Sequence, residues 1–538
     1  MSDLVLPAYT GADPRWATIV DLVRAAGERY GDREYLRCSD RRLSFAEVDA
    51  ETDRLAHVLV AHGVRPGDRV AVMFDNVAGW PLSWLAIMKA GATAVPVNAG
   101  YREADLHHVL SDSGAVLVLT SDAHVELVRA VTARVGAKPQ VRALEDLTDE
   151  LATAPDGPPG VAVRAGTVAN FQYTSGTTGF PKACMLTHEY WLRTAWLITA
   201  AAGLRTDDVV LMAQPFSYMD PQWMAVACLI GGLPLVVLPR FSASGFWAAV
   251  RDHRATVTYV LGTMPLLLYK QPQQPWDGTT GIRLVLCSGI VPELHERFEQ
   301  RWGAPWREIY GSTESGLDLL VGPQETDSVG SGAVGRPPPG KQVRIVDSHG
   351  DAVPDGATGE IVVRGKPMMI GYWNHPEATA RAIRDGWYHT GDLGFRDAAG
   401  RVHHAGRLKE MIRRGGENIS AAEVEGVLGR HPAVLSVAVV GIPDELFGEL
   451  PKAFVQLRAG HRPNAATARD LLADARQQLA KFKVPAYVEF VEEFPLTPSA
   501  RIQKRMLLEP PRDQRATAFD AATLVESASE RQVREGDR

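Results

Sequence analysis

The run YTSGTTGFPKACMLTH at residues 173–188 carries the densest ligand-binding chemistry in the chain. Thr174, Ser175, Thr177 and Thr178 are interspersed with Gly176 and Gly179. Glycine lets the main chain approach a ligand closely, and short hydroxyls donate hydrogen bonds without blocking it. Successive N–H groups in such a turn form a concave nest for anionic oxygens, and Lys182 adds a full positive charge beside it. By composition this is a phosphate cradle. It is not the P-loop pattern GxxxxGK(S/T), because Pro181 stands where that pattern needs glycine. A Ser/Thr/Gly linker is the plain alternative. The fixed order, with Tyr173 leading in and Pro181-Lys182 then Thr187-His188 closing, argues against it.

This order resembles the signature of the adenylate-forming superfamily: acyl-CoA synthetases, luciferases and the adenylation domains of peptide synthetases. Further motifs follow in that superfamily's order. Tyr310-Gly311-Ser312-Thr313-Glu314 resembles its Tyr-Gly-x-Thr-Glu element. The resemblance implies that Glu314 holds the Mg²⁺ bridging ATP phosphates and that Thr313 touches a phosphate; a hard cation does favour such oxygens. Taken alone, a Gly-Ser-Thr-Glu run is more often a helix N-cap. Tyr388-His389-Thr390-Gly391-Asp392 resembles the element whose aspartate accepts from both ribose hydroxyls, and Arg407 resembles the arginine that shares the ribose. Ser288-Gly289-Ile290 resembles the adenine-facing strand end. Residues 406–420, GRLKEMIRRGGENIS, resemble the hinge-and-loop element. Lys409 falls on the hinge about which, in relatives, the C-terminal domain swings between adenylating and thioester-forming arrangements. Gly415 and Gly416 would line the tunnel for the pantetheine arm of CoA. His389, His403 and His404 lack metal spacing and read as structural.

The family's last motif, Pro-x-Thr-x-Ser-Gly-Lys-Ile, appears here as PLTPSARI at 495–502, with Arg501 in the place of the lysine that contacts the substrate carboxylate and nucleotide. Arginine is planar and permanently charged, so the exchange is not conservative. Lys504 lies three residues on, and on an extended strand that offset faces the other way. Arg501 is therefore the expected cation, with Lys504 its stand-in if a bulge or turn intervenes. Lys182, His188 and Glu314 complete the candidate catalytic groups. Ala183 and Ala500 also replace usual glycines. Tyr218, which takes the place of a common histidine, joins Met219 and Trp223 in suggesting an apolar, aromatic-rimmed acyl pocket. Asp220 there suits a cationic substrate group, but Asp220-Pro221 reads better as a helix N-cap with proline at N1.

The resemblance covers about residues 15–508. FSASGFW at 241–247, IRRGGENIS and LAKFKVPAYVEF look most similar to carnitine- and crotonobetaine-CoA ligases, within the medium-chain and aryl acyl-CoA synthetases. It implies an ATP-dependent carboxylic acid–CoA ligase that forms an acyl-adenylate and then a thioester, releasing pyrophosphate and AMP, with ATP, Mg²⁺ and CoA as its cofactors. Two alternatives stay open. One is adenylation with another acceptor or acid: a carrier protein, an amine, or nitrite activated to diazotise an arylamine. The other is a non-catalytic nucleotide-binding paralogue.

The elements that must position these groups alternate strand and helix. Ser44-Phe45-Ala46-Glu47 is a capping box that starts a helix ending near Gly63. Strands follow at 69–74, 94–97 and 115–120 around a helix at 81–89. After a Pro/Gly-rich link at 154–160 and the phosphate stretch, the rhythm resumes with strands at 209–214, 234–239, 256–262 and 283–289. This predicts an α/β fold: a large N-terminal domain (1–408) of two layered α/β subdomains with mostly parallel sheets, closed by a β-rich subdomain over about 332–408. A small mobile α+β C-terminal domain spans 409–511, and 512–538 reads as a disordered tail with few large apolar groups.

With 538 residues, several domains are expected. A net charge of −7 gives no basic footprint for nucleic acid. Cys38, Cys184, Cys228 and Cys287 lack CxxC spacing and read as buried thiols in a reducing compartment. No secretion signal or membrane-length apolar run is visible, so a cytoplasmic location is expected. A homodimer is left open.

Overall fold

The computed structural model describes residues 15–174, 181–414, 417–496, 502–508 and 514–524. The chain forms two compact units: Met1–Arg344 with Val362–Thr390 and Gly400–Val402, and Ile345–Ile361 with Gly391–Ala399 and His403–Arg538. The division runs through the β-rich stretch expected as one piece over 332–408.

Two sheets build the first unit. One runs Gln140–Ala143, Leu117–Thr120, Arg69–Met73, Thr93–Pro96, Val168–Thr174, Lys182–Thr187; every neighbouring pair is parallel except the last, which is an antiparallel hairpin. The other runs Gly316–Leu320, Trp306–Ser312, Leu284–Ser288, Val257–Leu261, Val210–Met212, Leu235–Val237, Glu34–Arg37, Arg42–Ser44. Its interior is parallel and each edge is an antiparallel hairpin. Parallel strands need long crossovers, whereas a hairpin needs only a tight turn, so the edges are where short ligand loops are held.

Helices pack between and outside the sheets, and one apolar core joins Val70 and Leu117 of the first sheet to Val257 and Leu284 of the second. The capping box forms as expected: Glu47 N–H donates to Ser44 Oγ (3.2 Å) and Ser44 N–H to Glu47 Oε2 (2.7 Å), opening the helix Phe45–Ala61. The helix Gly79–Lys89 is apolar on every side because Trp80 through Lys89 are all buried. Lys89, its one charge, is held by Asp49 and Asp53 at 2.5 and 2.6 Å.

In the second unit a sheet runs Glu417–Ser420, Met411–Arg414, Gly448–Leu457, Tyr487–Phe490, Phe519–Asp520, with Val434–Asp444 also paired to Gly448–Leu457. The helices Ala421–Gly429 and Ala465–Gln478 cover it through Val424, Leu428, Leu471 and Leu472. Of the stretch expected as a disordered tail, 512–538, the described residues 514–524 contribute to this sheet. Phe519 pairs with Val488, its ring lies 5.8 Å from Phe490, and Leu524 is buried in the same core. Two apolar residues among polar ones suffice, because an edge strand needs only one buried face. Among the described residues no helix is long and apolar enough to cross a membrane. All four cysteines are buried and unpaired.

Candidate functional site

The described ends of the stretch expected to cradle phosphate lie in the edge hairpin of the first sheet. Thr174 pairs with Lys182, Tyr173 with Ala183 and Gln172 with Cys184. Ser175, Gly176, Thr177, Thr178 and Gly179 lie outside the described residues. The helix Glu103–Ser113 anchors the hairpin: Tyr173 donates to Asp112 Oδ2 (2.7 Å), and His108 Nε2 lies 2.8 Å from the Pro181 carbonyl.

Glu314 sits on the edge hairpin of the second sheet. Ser312 pairs with Gly316, so residues 313–315 make the turn. A Cβ on Gly311 would fall 1.9 Å from the Gly316 carbonyl oxygen, so this glycine is required by the hairpin itself. Behind the turn Ser315 donates to Asp318, which pairs at 2.9 Å with Lys341; both ions are fully buried. Lys341 also donates to the Pro367 carbonyl (2.6 Å). Buried charge persists only when paired and hydrogen-bonded in this way.

Residues 369–373 bring the two hairpins together. Ile370 N–H donates to the Met185 carbonyl (3.1 Å) and Trp373 N–H to that of Ala183 (2.9 Å), lacing the segment to Lys182–Thr187. Met369 N–H donates to the Glu314 carbonyl (2.7 Å). Tyr372 lands between the two: its hydroxyl donates to Glu314 Oε1 (2.8 Å), and Lys182 Nζ lies 5.8 Å from its ring centroid. Lys182 and Glu314, expected at one site, are thus joined through a tyrosine that the motif reading missed. Its only signal in the sequence is an aromatic after Gly371, which points to no chemistry by itself.

Thr313 offers its carbonyl to Tyr190 (2.8 Å) and its hydroxyl to the Met219 sulfur (3.4 Å). Trp223 packs edge-on against Tyr259 (5.3 Å), whose hydroxyl donates to Ser288 Oγ (3.0 Å). Ser288 in turn donates to the Ile309 carbonyl (2.6 Å). Gly289 and Ile290 N–H groups donate to the Glu308 carboxyl at 2.6 and 2.8 Å. Burial pushes Glu308 up to about 8 despite those donors. Ser288 and Gly289 therefore hold the strand end in place. Tyr310 is half-buried in the strand Trp306–Ser312.

Two expectations need correction. The helix Met219–Gly231 begins one residue earlier than its expected cap: Tyr218 is the N-cap, Asp220 lies in the first turn and Pro221 follows it. A carboxylate there is favoured by the helix dipole, which explains the acid without a cap. His188, expected among the catalytic groups, is wholly buried at the start of His188–Ala201, and its Nδ1 accepts from Ile19 N–H (3.3 Å). Burial holds its pKa down at about 3, so the ring stays neutral and structural.

In the second unit Arg407 Nε lies 3.1 Å from Asp392 Oδ1, joining the two expected ribose residues, and His404 Nε2 lies 3.8 Å from the same oxygen. His403 stays structural, stacked on Phe395 and 3.0 Å from Asp397. Lys409 falls in the short turn Leu408–Glu410. Gly415, Gly416 and Arg501 lie outside the described residues. Lys504 is not an unengaged cation: its Nζ is 2.5 Å from Glu410 and 2.9 Å from Glu425. Around it, Leu496 and Ile502 bridge antiparallel, Gln503 N–H donates to the Pro495 carbonyl (2.8 Å), and Lys504 opens a 3-10 turn.

No group of three or more His, Cys, Asp or Glu among the described residues could hold a metal ion alone. Glu314 suits Mg²⁺ differently: that ion takes one or two carboxylates and completes its shell with phosphate oxygens and water. A carboxylate only 9% exposed, joined through Tyr372 to the lysine that opens the second strand of the edge hairpin, provides such a donor.

Comparison with known proteins agrees with this geometry. The model of the AMP-binding enzymes matches residues 23–373, and that of their C-terminal domain matches 423–501. A feruloyl-CoA synthase from an Amycolatopsis species is 36% identical over 86% of this chain and 92% of its own length. A crotonobetaine/carnitine–CoA ligase from Proteus mirabilis is 32% identical over 87% and 93%. The crystal structure of ATP-bound MatB from Rhodopseudomonas palustris superimposes with a TM-score of 0.84 at 30% identity, covering 92% of this chain and 99% of that one. The chain belongs to the family of AMP-binding enzymes.

Proposed function

We propose that this chain activates an aromatic carboxylic acid. The reaction is that of an ATP-dependent acid–CoA ligase. The acid's carboxylate attacks the α-phosphorus of ATP, the bond to pyrophosphate breaks, and an acyl-adenylate forms. The CoA thiolate then attacks the acyl carbon and expels AMP. Dividing the reaction turns a poor leaving group into a good one. Lys182 meets phosphate charge beside the hairpin turn, Asp392 and Arg407 serve the ribose, and Arg501 is the cation offered to the developing charge. Mg²⁺, when bound at Glu314, neutralises charge on the departing phosphates.

The observation that carries the adenylating chemistry is the meeting of Lys182, Tyr372 and Glu314 across two sheet edges. The aromatic acid is supported by the feruloyl-CoA synthase similarity and by the aromatic cluster of Trp223 and Tyr259, with Met219, beside Ser288 and Thr313. Carnitine-like acids would need a counter-charge, and Asp220 already serves a helix N-terminus. Pyrophosphate release is to be screened over hydroxycinnamates, benzoates, carnitine, crotonobetaine and nitrite, with and without CoA. The expected outcome is the highest kcat/KM with an aromatic acid and CoA-dependent release of AMP. Preference for a betaine or nitrite, or AMP release indifferent to CoA, overturns the proposal.

A further inference from the structure

The least expected contact in the first unit is the one at Glu314 Oε1. Its donor, Tyr372, comes from 58 residues further along the chain. That tyrosine is fixed on three sides. Its backbone bridges Cys184, in the strand that begins at Lys182, and its N–H donates to Thr379 Oγ1 (2.9 Å). Its ring lies beneath Lys182 Nζ. Its hydroxyl donates to Glu314. Ser312 Oγ lies 2.9 Å from Ser315 Oγ, and Ser315 donates to Asp318 of the buried pair with Lys341. The turn that carries Glu314 is therefore braced by a buried ion pair, while Tyr372, fixed on the strand Lys182–Thr187, holds the carboxylate itself.

We propose that Tyr372 is a positioning residue that presets the Glu314 carboxylate for the nucleotide-bound divalent cation, and that its ring keeps Lys182 close to that carboxylate without letting the two neutralise each other. The physical reasons are general. A glutamate side chain loses rotamer freedom when it takes up a metal, and a donor already fixing one oxygen removes part of that cost before binding. Partners behind a metal's own ligands hold them in orientation in this manner, and their loss weakens metal binding about 10–100-fold. A lysine in direct contact with Glu314 would compete with the cation. Placed over the ring face instead, it keeps its charge for phosphate while being held by the ring quadrupole. The Tyr372 backbone contacts with Lys182–Thr187 make the arrangement part of the fold and not a chance side-chain encounter.

The inference rests on the reading of Glu314 as the metal-holding carboxylate, so the test separates the two. Tyr372→Phe keeps the ring and deletes the hydroxyl; Glu314→Gln deletes the charge. Binding of Mn²⁺ to the enzyme–ATP complex is to be titrated by electron paramagnetic resonance, alongside the Mg²⁺ dependence of pyrophosphate release and the thermal midpoint. Tyr372→Phe is expected to weaken Mn²⁺ binding about tenfold, with pyrophosphate release recovering to within about threefold of the parent rate at saturating Mg²⁺. The titration is run well below either variant's midpoint, so loss of stability alone would not shift it. If Tyr372→Phe binds Mn²⁺ like the parent while Glu314→Gln does not, the positioning role is wrong and the carboxylate assignment stands. If Glu314→Gln also binds like the parent, both fall.

Discussion

His188 shows how a residue can hold its place in a motif for a reason unrelated to the motif's chemistry. It closes the phosphate stretch in sequence, yet its ring is sealed in the core and its Nδ1 serves Ile19. A pKa held near 3, below the ordinary histidine value, has a definite sign. The folded state binds fewer protons than the unfolded one between those values, so the stabilisation is complete above about 6.5 and is lost as pH falls toward 3. Down to pH 5 the loss is about 2 kcal/mol. His188→Asn keeps an acceptor for Ile19 N–H without a titrating ring. Its deficit in thermal midpoint relative to the parent, measured at pH 7.5, is expected to shrink or reverse at pH 5. A constant deficit at both pH values would show that His188 does not titrate this way. Glu314 and Lys182 were legible because their motifs are local, whereas burial and long-range partners are not written in local order. Tyr372 escaped for the same reason, since nothing near residue 372 refers to residue 314.

The element that decides how motifs become a site is the edge hairpin. Alternation of strand and helix was plain in the sequence, and the parallel strands at Arg69–Met73 and Leu284–Ser288 fall where it placed them. What it did not reveal is that Lys182 and Glu314 both belong to antiparallel hairpins at sheet edges, because a run of Ser, Thr and Gly looks the same in a linker. The same limit applies to the end of the second unit. The offset between Arg501 and Lys504 was judged on an extended strand unless a turn intervenes; Lys504 opens a 3-10 turn and is engaged by Glu410 and Glu425. Glu425 is half-buried and accepts from Val439 N–H (2.6 Å), so removing the lysine leaves a carboxylate without its cation. Arg501→Ala is therefore expected to reduce ATP–pyrophosphate exchange by at least about 100-fold with little change in thermal midpoint. Lys504→Ala should chiefly lower the midpoint. The reverse pattern, exchange lost only in Lys504→Ala, would make Lys504 the catalytic cation.

At the scale of the whole chain, the two units differ in how they meet the cost of order. The first buries a continuous core between two sheets and has apolar residues to spare. The second is small, and small units bury a lower fraction of their surface, so single apolar contacts matter more. That is why residues 514–524, which composition marked as too polar to fold, are part of its sheet. Phe519 and Leu524 extend its core, and Lys452 donates to the Gln514 carbonyl while paired with Glu489 at 2.6 Å. The strand they add also covers Tyr487–Phe490, which would otherwise be an open sheet edge able to pair with another chain. Substituting Phe519→Ala and Leu524→Ala together should cost roughly 3 kcal/mol, as removal of one buried and one partly buried apolar side chain does. The expected readouts are a lower thermal midpoint and earlier aggregation on heating, with parental ATP–pyrophosphate exchange at 25 °C. A double variant that melts and aggregates like the parent would return residues 514–524 to the tail that their composition first suggested.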